Sequence, residues 1–169
     1  YGLGPAASKV YLRDRGLSLG GYGEFNYKES LSDGDDTYDF VRLVLYAGYK
    51  FTDRIVFNSE IEFEHASTGS NDQDGQVSVE QAYLDFFLKD RANVRAGLVL
   101  VPVGFVNELH EPPFFHGNER PSVERQIIPT TWRANGLGVF GDVGETLSYR
   151  TYVVTSLRAE RFSSANIRS

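Results

Sequence analysis

Residues 55–65 read IVFNSEIEFEH, and this stretch decides the fold because its side chains alternate between two characters. Successive side chains of a β-strand point to opposite faces of the sheet, so every second residue shares one face. The apolar face of this stretch carries Ile55, Phe57, Ile61 and Phe63. The polar face carries Asn58, Glu60, Glu62 and Glu64. Ser59 and His65 are polar residues at positions of the apolar face, but the pattern as a whole predicts a strand with one apolar and one polar surface.

The same period of two recurs on both sides of this stretch. It predicts six further strands, at residues 17–27, 41–49, 81–88, 94–101, 136–140 and 147–153. The pattern is weakest at residues 136–140. Glu80 falls on the apolar face of the fourth strand, and either a place near the outer rim or a β-bulge before Ala82 would explain it. Together these segments predict an all-β chain with about seven strands.

The connections between the predicted strands alternate in length. Long polar segments lie at residues 28–36, 67–76 and 102–131, and another follows the seventh strand. Tight turns lie between them, at residues 52–54, 89–92 and 141–145. A soluble β-sandwich has no reason to alternate in this way, whereas outer-membrane barrels have short periplasmic turns and long extracellular loops. We therefore predict a transmembrane antiparallel up-and-down β-barrel whose first strand runs outward from the periplasm.

Aromatic side chains fall at two levels of the predicted barrel. Tyr27, Tyr38 and Phe40 lie at outer strand ends, and Tyr49 and Phe51 lie at an inner strand end. Membrane barrels carry aromatic girdles at both lipid interfaces. In a soluble sheet the same rings would belong to the core, and the alternating connections are independent evidence against that interpretation.

The composition excludes several classes of protein. No run of about 18 apolar residues is present, which excludes a transmembrane helix, and we expect any signal peptide to be already removed. Cysteine is absent, which excludes a disulfide framework and a cysteine nucleophile. The net charge is −6 with acids and bases interspersed, which argues against nucleic acid as a partner. Single-chain bacterial barrels usually have an even number of at least about eight strands. We therefore expect that the sequence is part of a larger barrel or that several chains share one.

Several motifs add a family resemblance. The first strand contains GLSLGGYGE at residues 16–24, and the third contains NSEIEFEH at residues 58–65. After Ala96-Gly97, the chain reads PVG at 102–104, NELHEPP at 107–113, ERP at 119–121, IPTTW at 128–132 and GLGVFG at 136–141. Over most of residues 16–157 the sequence resembles the phosphate-selective porin O and P family.

This resemblance implies an outer-membrane barrel of about twice this length, often trimeric, that passes small polar solutes in a Gram-negative bacterium. Residues 1–15 then fit a periplasmic lead-in, and residues 16–169 fit the N-terminal part of the barrel with the long loop 102–131. The expected partners are membrane lipid, lipopolysaccharide and the solutes, with a homotrimer as the implied assembly. Neither nucleic acid nor a cofactor is expected.

The charged side chains on the polar faces of the strands are the predicted pore lining. They are Glu24, Arg42, Glu60, Glu62, Glu64, Asp85, Arg95 and Arg150. A row of glutamates would attract cations in a narrow pore, but the same side chains could instead pair with Arg42 and other bases as a structural network. We prefer the network because acids and bases are mixed across neighbouring strands. A phosphate-selective pore would require a dense row of Lys and Arg, so anion selectivity is not predicted from these residues.

The segment 102–131 is too long for an ordinary hairpin loop, and loops of this length are usually functional or disordered. It folds either into the barrel, where it narrows the pore, or outside it, as a lid or trimer contact. In the first case the candidates for the constriction are Glu108, His110, Glu111, His116, Glu119 and Arg120. Metal binding by the two histidines is not predicted, because their spacing matches no recognised site.

We conclude from the sequence that the chain forms part of a porin-like channel for passive diffusion of small polar or ionic solutes. No nucleophile elbow of the form G-x-S-x-G is present and no histidine has an evident Ser-Asp pair, so no catalytic residue and no enzymatic activity are predicted. The alternatives are a non-conducting outer-membrane barrel with a structural, adhesive or assembly role, an outer-membrane enzyme, and a soluble β-sandwich.

Overall fold

The computed structural model describes residues 5–31, 34–65, 75–117, 119–126, 131–156, 162–163 and 166–167. Seven strands form one sheet in which each strand pairs antiparallel with its neighbours in sequence. They are β1 (Gly16–Lys28), β2 (Thr37–Thr52), β3 (Ile55–Glu64), β4 (Gln76–Lys89), β5 (Ala92–Leu100), β6 (Arg133–Val143) and β7 (Leu147–Val154). The predicted all-β, up-and-down architecture is confirmed.

The other elements are short. Before β1 the chain forms a helical turn, α1 (Pro5–Ser8), which continues as a 3-10 helix (Lys9–Leu12). The connection between β5 and β6 contains a 3-10 turn (Pro112–Phe114) and α2 (Ser122–Gln126). Strands β8 (Phe162–Ser163) and β9 (Asn166–Ile167) pair with each other. Among the residues described, no helix is both long enough and apolar enough to cross a membrane.

The connections lie at the two edges of the sheet as the sequence predicts. Tight turns at residues 53–54, 90–91 and 144–146 join β2 to β3, β4 to β5 and β6 to β7 at one edge, which we call the turn edge. The longer connections lie at the opposite edge, which we call the loop edge. Residues 66–74 and 127–130, which belong to two of the predicted long connections, lie outside the described residues.

The structure corrects one expectation about the strands and confirms another. Strand β6 has 11 residues, although the alternation indicated a strand only at residues 136–140. In the pairing of β3 with β4, Glu60 faces Gln81 whereas Ile61 faces Val79, so Glu80 is an inserted residue. The bulge before Ala82 is confirmed, and it turns Glu80 towards the same face as Gln81.

The two faces of the sheet are the reverse of those in a soluble protein. Large apolar side chains are exposed along one face, among them Leu17, Leu19, Phe25, Leu43, Leu45, Leu137 and Val153. The opposite face, which we call the polar face, carries buried polar and charged side chains, among them Asn58, Glu60, Glu62, Gln81, Asp85 and Arg95. Since charged residues are almost never fully buried unless paired, this arrangement fits a sheet whose apolar side meets lipid.

Candidate functional site

All eight predicted pore-lining residues lie on the polar face. The burial patterns of β1, β2 and β3 alternate, and the less exposed positions carry Glu24, Arg42, Glu60, Glu62 and Glu64. Asp85 and Arg95 are buried on β4 and β5, and Arg150 is half-buried on β7. The structure therefore brings these charges together on one surface, where most of them form ion pairs or hydrogen bonds with other side chains.

At the loop edge of β1, β2 and β3, one arginine holds two glutamates. Arg42 Nε lies 2.8 Å from Glu24 Oε2, and Arg42 Nη1 donates to Glu62 Oε1 at 2.8 Å. Glu24 and Glu64 are the cross-strand partners of Arg42 on either side. Cross-strand pairs of opposite charge stabilise a sheet. The pairing of these glutamates with Arg42 is what the structural-network interpretation of the sequence predicts.

Nearer the turn edge, Asp85 and Arg95 form a bidentate ion pair across β4 and β5. Arg95 Nε donates to Asp85 Oδ1 at 2.7 Å and Arg95 Nη2 donates to Asp85 Oδ2 at 2.9 Å. Asp85 is fully buried, and the guanidinium lies 3.9 Å from the centre of the Tyr83 ring. Two parallel charge-assisted hydrogen bonds and a ring contact fix the position of this arginine.

Between these groups, Glu60 accepts hydrogen bonds from both of its strand neighbours. The hydroxyl of Tyr46 lies 2.9 Å from Glu60 Oε1, and Gln81 Nε2 donates to Glu60 Oε2 at 2.8 Å. His110 Nε2, from the long loop, lies 3.2 Å from Glu60 Oε1. Glu60 is fully buried, so its charge is satisfied by side chains of the sheet and of the loop.

The long loop is closed at its base by Asn107, which the sequence analysis did not select. Asn107 Nδ2 donates to the carbonyls of Val101 at 2.6 Å and Trp132 at 2.9 Å, and Asn107 Oδ1 accepts from Trp132 N at 2.7 Å. These residues directly follow β5 and precede β6. An amide side chain supplies both the donors and the acceptor that this junction requires, and its lack of charge gives it no distinguishing signal in the sequence.

Replacing Asn107 by alanine is expected to open the base of the loop, because the Trp132 N–H would lose its acceptor and the carbonyls of Val101 and Trp132 would each lose one of two donors. We expect a cost of about 1–3 kcal/mol. Trypsin cleavage after Arg125, which lies in the same loop and is followed by Gln126, should then become about fivefold faster or more, since cleavage follows the population of the open loop. His116→Ala, at an exposed position of the same loop, is the control. Equal cleavage rates in the two variants would contradict this role of Asn107.

The first part of the loop folds back over the polar face. His110 and Glu111 are buried, and Glu111 Oε1 lies 3.0 Å from the Tyr46 hydroxyl on β2. Burial raises the pKa of Glu111, and the hydrogen bond from Tyr46 partly offsets this. Glu108 forms an ion pair with Arg150 on β7. The loop thus contacts both the β2–β3 side and the β7 side of the sheet.

The predicted constriction candidates separate into two groups. Glu108, His110 and Glu111 lie against the polar face, whereas His116 and Glu119 are exposed. The remaining candidate, Arg120, is half-buried, and its Nη2 donates to Thr131 Oγ1 at 3.2 Å. The path of the loop decides which group faces the sheet, and no periodicity in the sequence encodes that path.

Helix α2 (Ser122–Gln126) is also hydrogen-bonded to the start of the loop. Glu124 is buried, and its Oε1 accepts a hydrogen bond from Phe105 N at 2.6 Å. Gly104 has a φ of +70°, and a Cβ there would lie 2.5 Å from Glu124 Oε1. Glycine is required at this position because it allows both the left-handed backbone and the close approach of the carboxylate.

A second segment, residues 5–12, also lies on the polar face. Asn58 Nδ2 on β3 donates to the carbonyl of Ala7 at 2.8 Å. The Tyr11 hydroxyl donates to Asp85 Oδ2 at 2.7 Å. From the sequence these residues are expected to form a periplasmic lead-in, and nothing in their pattern predicts the contacts of Tyr11 with Asp85 and Arg95.

Comparisons with known proteins agree with this architecture. The family model described as phosphate-selective porin O and P matches residues 16–109, which is more than half of the chain and covers β1 to β5. An uncharacterized protein of Aquifex aeolicus (strain VF5) is 51% identical over 160 residues, an alignment that covers 94% of this chain and 36% of the relative. The chain therefore spans about a third of the length of the curated relative it matches. No solved structure matches the chain.

Proposed function

Because the chain belongs to the phosphate-selective porin O and P family, we propose that it forms part of an outer-membrane channel for passive diffusion of small polar or ionic solutes. In this proposal the seven strands are part of the barrel wall and the polar face lines the lumen. The opposite face meets lipid, the turn edge is periplasmic and the loop edge is extracellular. Residues 16–169 would then be the N-terminal part of the barrel, which other strands close.

The observation that carries the proposal is the inversion of the two faces. Leucines at positions 17, 19, 43, 45 and 137 are all exposed, whereas Glu60, Asp85 and Arg95 are almost inaccessible on the other side. A contiguous apolar surface of this kind marks contact with a membrane or a partner. Together with the porin family and the alternating connections, it favours lipid as the neighbour.

The contacts on the polar face suggest how solutes would be selected. Five of the eight predicted lining residues are acids and three are bases, and most of these charges are already paired within the wall. Arg42, Arg95 and Arg150 are each held by a carboxylate. Paired arginines present a weaker field to a passing anion than free ones, so this part of the wall supports no strong anion preference.

Single-channel recording of the full-length protein in a planar bilayer tests the proposal. We expect stepwise conductance, and under a salt gradient we expect a reversal potential that shows no strong anion preference. Resistance to SDS until boiling, followed by a shift on a gel, provides the control for a folded barrel. Folded and inserted protein without conductance would contradict the channel function.

A non-conducting barrel is the second candidate, because one observation specifically favours it. The long loop and residues 5–12 together cover Tyr46, Asn58, Glu60 and Asp85. If these segments fill the lumen of the complete barrel, the protein would have a structural, adhesive or assembly role. The same recording distinguishes the two functions.

A further inference from the structure

Residues 5–12, which precede β1, are packed against the polar face of the sheet. We call them the pre-strand segment. Ala7 and Val10 have only 3% and 2% of their surface exposed, although the segment consists of two short helical turns with no hydrophobic core of their own. The sheet must supply their surroundings, because helices this short are not stable in isolation.

One glycine of the polar face, Gly48, makes room for the segment, and a second, Gly20, contacts it. A Cβ at Gly48 on β2 would lie 2.7 Å from the Cβ of Val10, closer than side chains pack. Gly20 on β1 is approached at 3.6 Å by the carbonyl oxygen of Ala6, measured to its ideal Cβ. The wall is therefore shaped to receive the segment, since a side chain at Gly48 would occupy the place of Val10.

Polar side chains of the wall hold the segment by specific hydrogen bonds. Asn58 binds the Ala7 carbonyl at 2.8 Å, and Asp85 accepts from the Tyr11 hydroxyl at 2.7 Å. Tyr83, which is 2% exposed, has its hydroxyl 3.1 Å from that of Tyr11. Buried polar groups are stabilised by each partner of this kind, so these hydrogen bonds favour the docked position of the segment on β3 and β4.

The segment also meets the long loop over the middle of the polar face. Glu111 Oε1 lies 3.0 Å from the hydroxyl of Tyr46, and Tyr46 belongs to the same buried cluster as Ala7. The segment reaches this point from the turn edge, because it leads into Gly16, whose partner Lys50 is next to the β2–β3 turn. The loop reaches it from the loop edge, so the two elements cover the face from opposite ends.

We propose that the pre-strand segment is a resident constriction of the pore, docked on the lumenal wall of β1 to β4 and joined to the long loop through Tyr46 and Glu111. This inference rests on the proposed function, because it takes the polar face to be the lumen. A helix with its side chains is about 10–12 Å across, which is a large share of the bore of a porin. The width available to a solute is then set by this segment as well as by the loop.

Conductance of the full-length protein with and without residues 5–12 tests the proposal. We expect the deletion to raise single-channel conductance about twofold or more, because the blocked cross-section is helix-sized. Gly48→Ala should raise the conductance towards that of the deletion by releasing the segment, because the new Cβ would occupy the place of Val10 on the wall. Gly23→Ala, where the new Cβ would have only ordinary contacts at 3.6 Å, is the matched control and should leave conductance unchanged.

A thiol-labelling experiment gives a second measure that does not depend on conductance. These 169 residues contain no cysteine, so Ser18→Cys adds one thiol to this part of the protein, at a position that is 8% exposed on the polar face, opposite Gly48, and the parent protein gives the background labelling. A membrane-impermeant methanethiosulfonate should label this thiol slowly in the otherwise unchanged protein and at least about tenfold faster after the deletion, if the site opens by about 1.4 kcal/mol or more.

The outcomes separate this proposal from the channel function. Equal conductance and equal labelling with and without the segment would overturn the constriction while leaving a channel in place. A silent parent protein and a conducting deletion would support it and show that the segment closes the pore. Folded, inserted protein that conducts in neither form would overturn both the constriction and the channel function.

Discussion

Replacing Asp85 by alanine is expected to destabilise the folded protein by about 3–5 kcal/mol, because it leaves the Arg95 guanidinium buried without its carboxylate. Asp85 is fully buried, and both of its oxygens accept hydrogen bonds from Arg95. The same substitution removes the acceptor of the Tyr11 hydroxyl. Urea unfolding of the full-length protein in detergent or lipid vesicles, followed by mobility on unboiled SDS gels, measures the loss.

Two variants make this result specific. Asp53→Ala removes an acid whose side chain is 92% exposed and lies 3.4 Å from Lys50, and exposed ion pairs contribute at most about 1 kcal/mol. The double variant Asp85→Leu with Arg95→Leu removes both buried charges and should recover much of the lost stability. A loss for Asp85→Ala no larger than that for Asp53→Ala would contradict the buried pair.

Placing an arginine at Leu45 is the second large expected effect. Leu45 lies near the middle of β2 and is 44% exposed on the apolar face. If that face meets the hydrocarbon of a bilayer, Leu45→Arg should cost about 2–4 kcal/mol, which is the depth-dependent penalty at the midplane. On a water-exposed surface the same change would cost little, because the charge would stay hydrated.

Leu17→Arg is the matched control for this experiment. Leu17 is 54% exposed on the same face, but it lies one residue after the start of β1 at the turn edge. Near the lipid interface the penalty falls to about 0–1 kcal/mol. Unfolding of both variants in lipid vesicles provides the comparison, and equal losses for Leu45→Arg and Leu17→Arg would contradict a membrane-facing surface.

The strands could be predicted because their signal is local. In β3, Phe57 and Glu62 already reveal which face is apolar and which is polar. In β4, Glu80 on the apolar face predicted either a place near the outer rim or a bulge, and the structure shows the bulge. Strand β6 was predicted too short because Asn135 and Gly141, on either side of residues 136–140, interrupt the apolar alternation, and the outer residues are recognised only through pairing with β5 and β7.

The covering of the polar face could not be predicted in the same way. The pre-strand segment has helical turns that are too short for a periodic pattern, and Tyr11 finds its partner 74 positions later, at Asp85. Asn107 was overlooked because an isolated amide carries no sequence signal. Charge alone did not separate Glu108 from the exposed Glu119, because the fold of the loop decides which of them meets the wall.

The pairing of each strand with its sequence neighbour also has a consequence for assembly. Such a meander makes its strand contacts between sequence neighbours, and the tight hairpins β2–β3, β4–β5 and β6–β7 can form without closing a long loop. The pre-strand segment behaves differently, since its anchors on Asn58 and Asp85 exist only after β3 and β4 have joined the sheet. The first residues of the described chain are therefore among the last to reach their final position, once the wall on which they rest has been built.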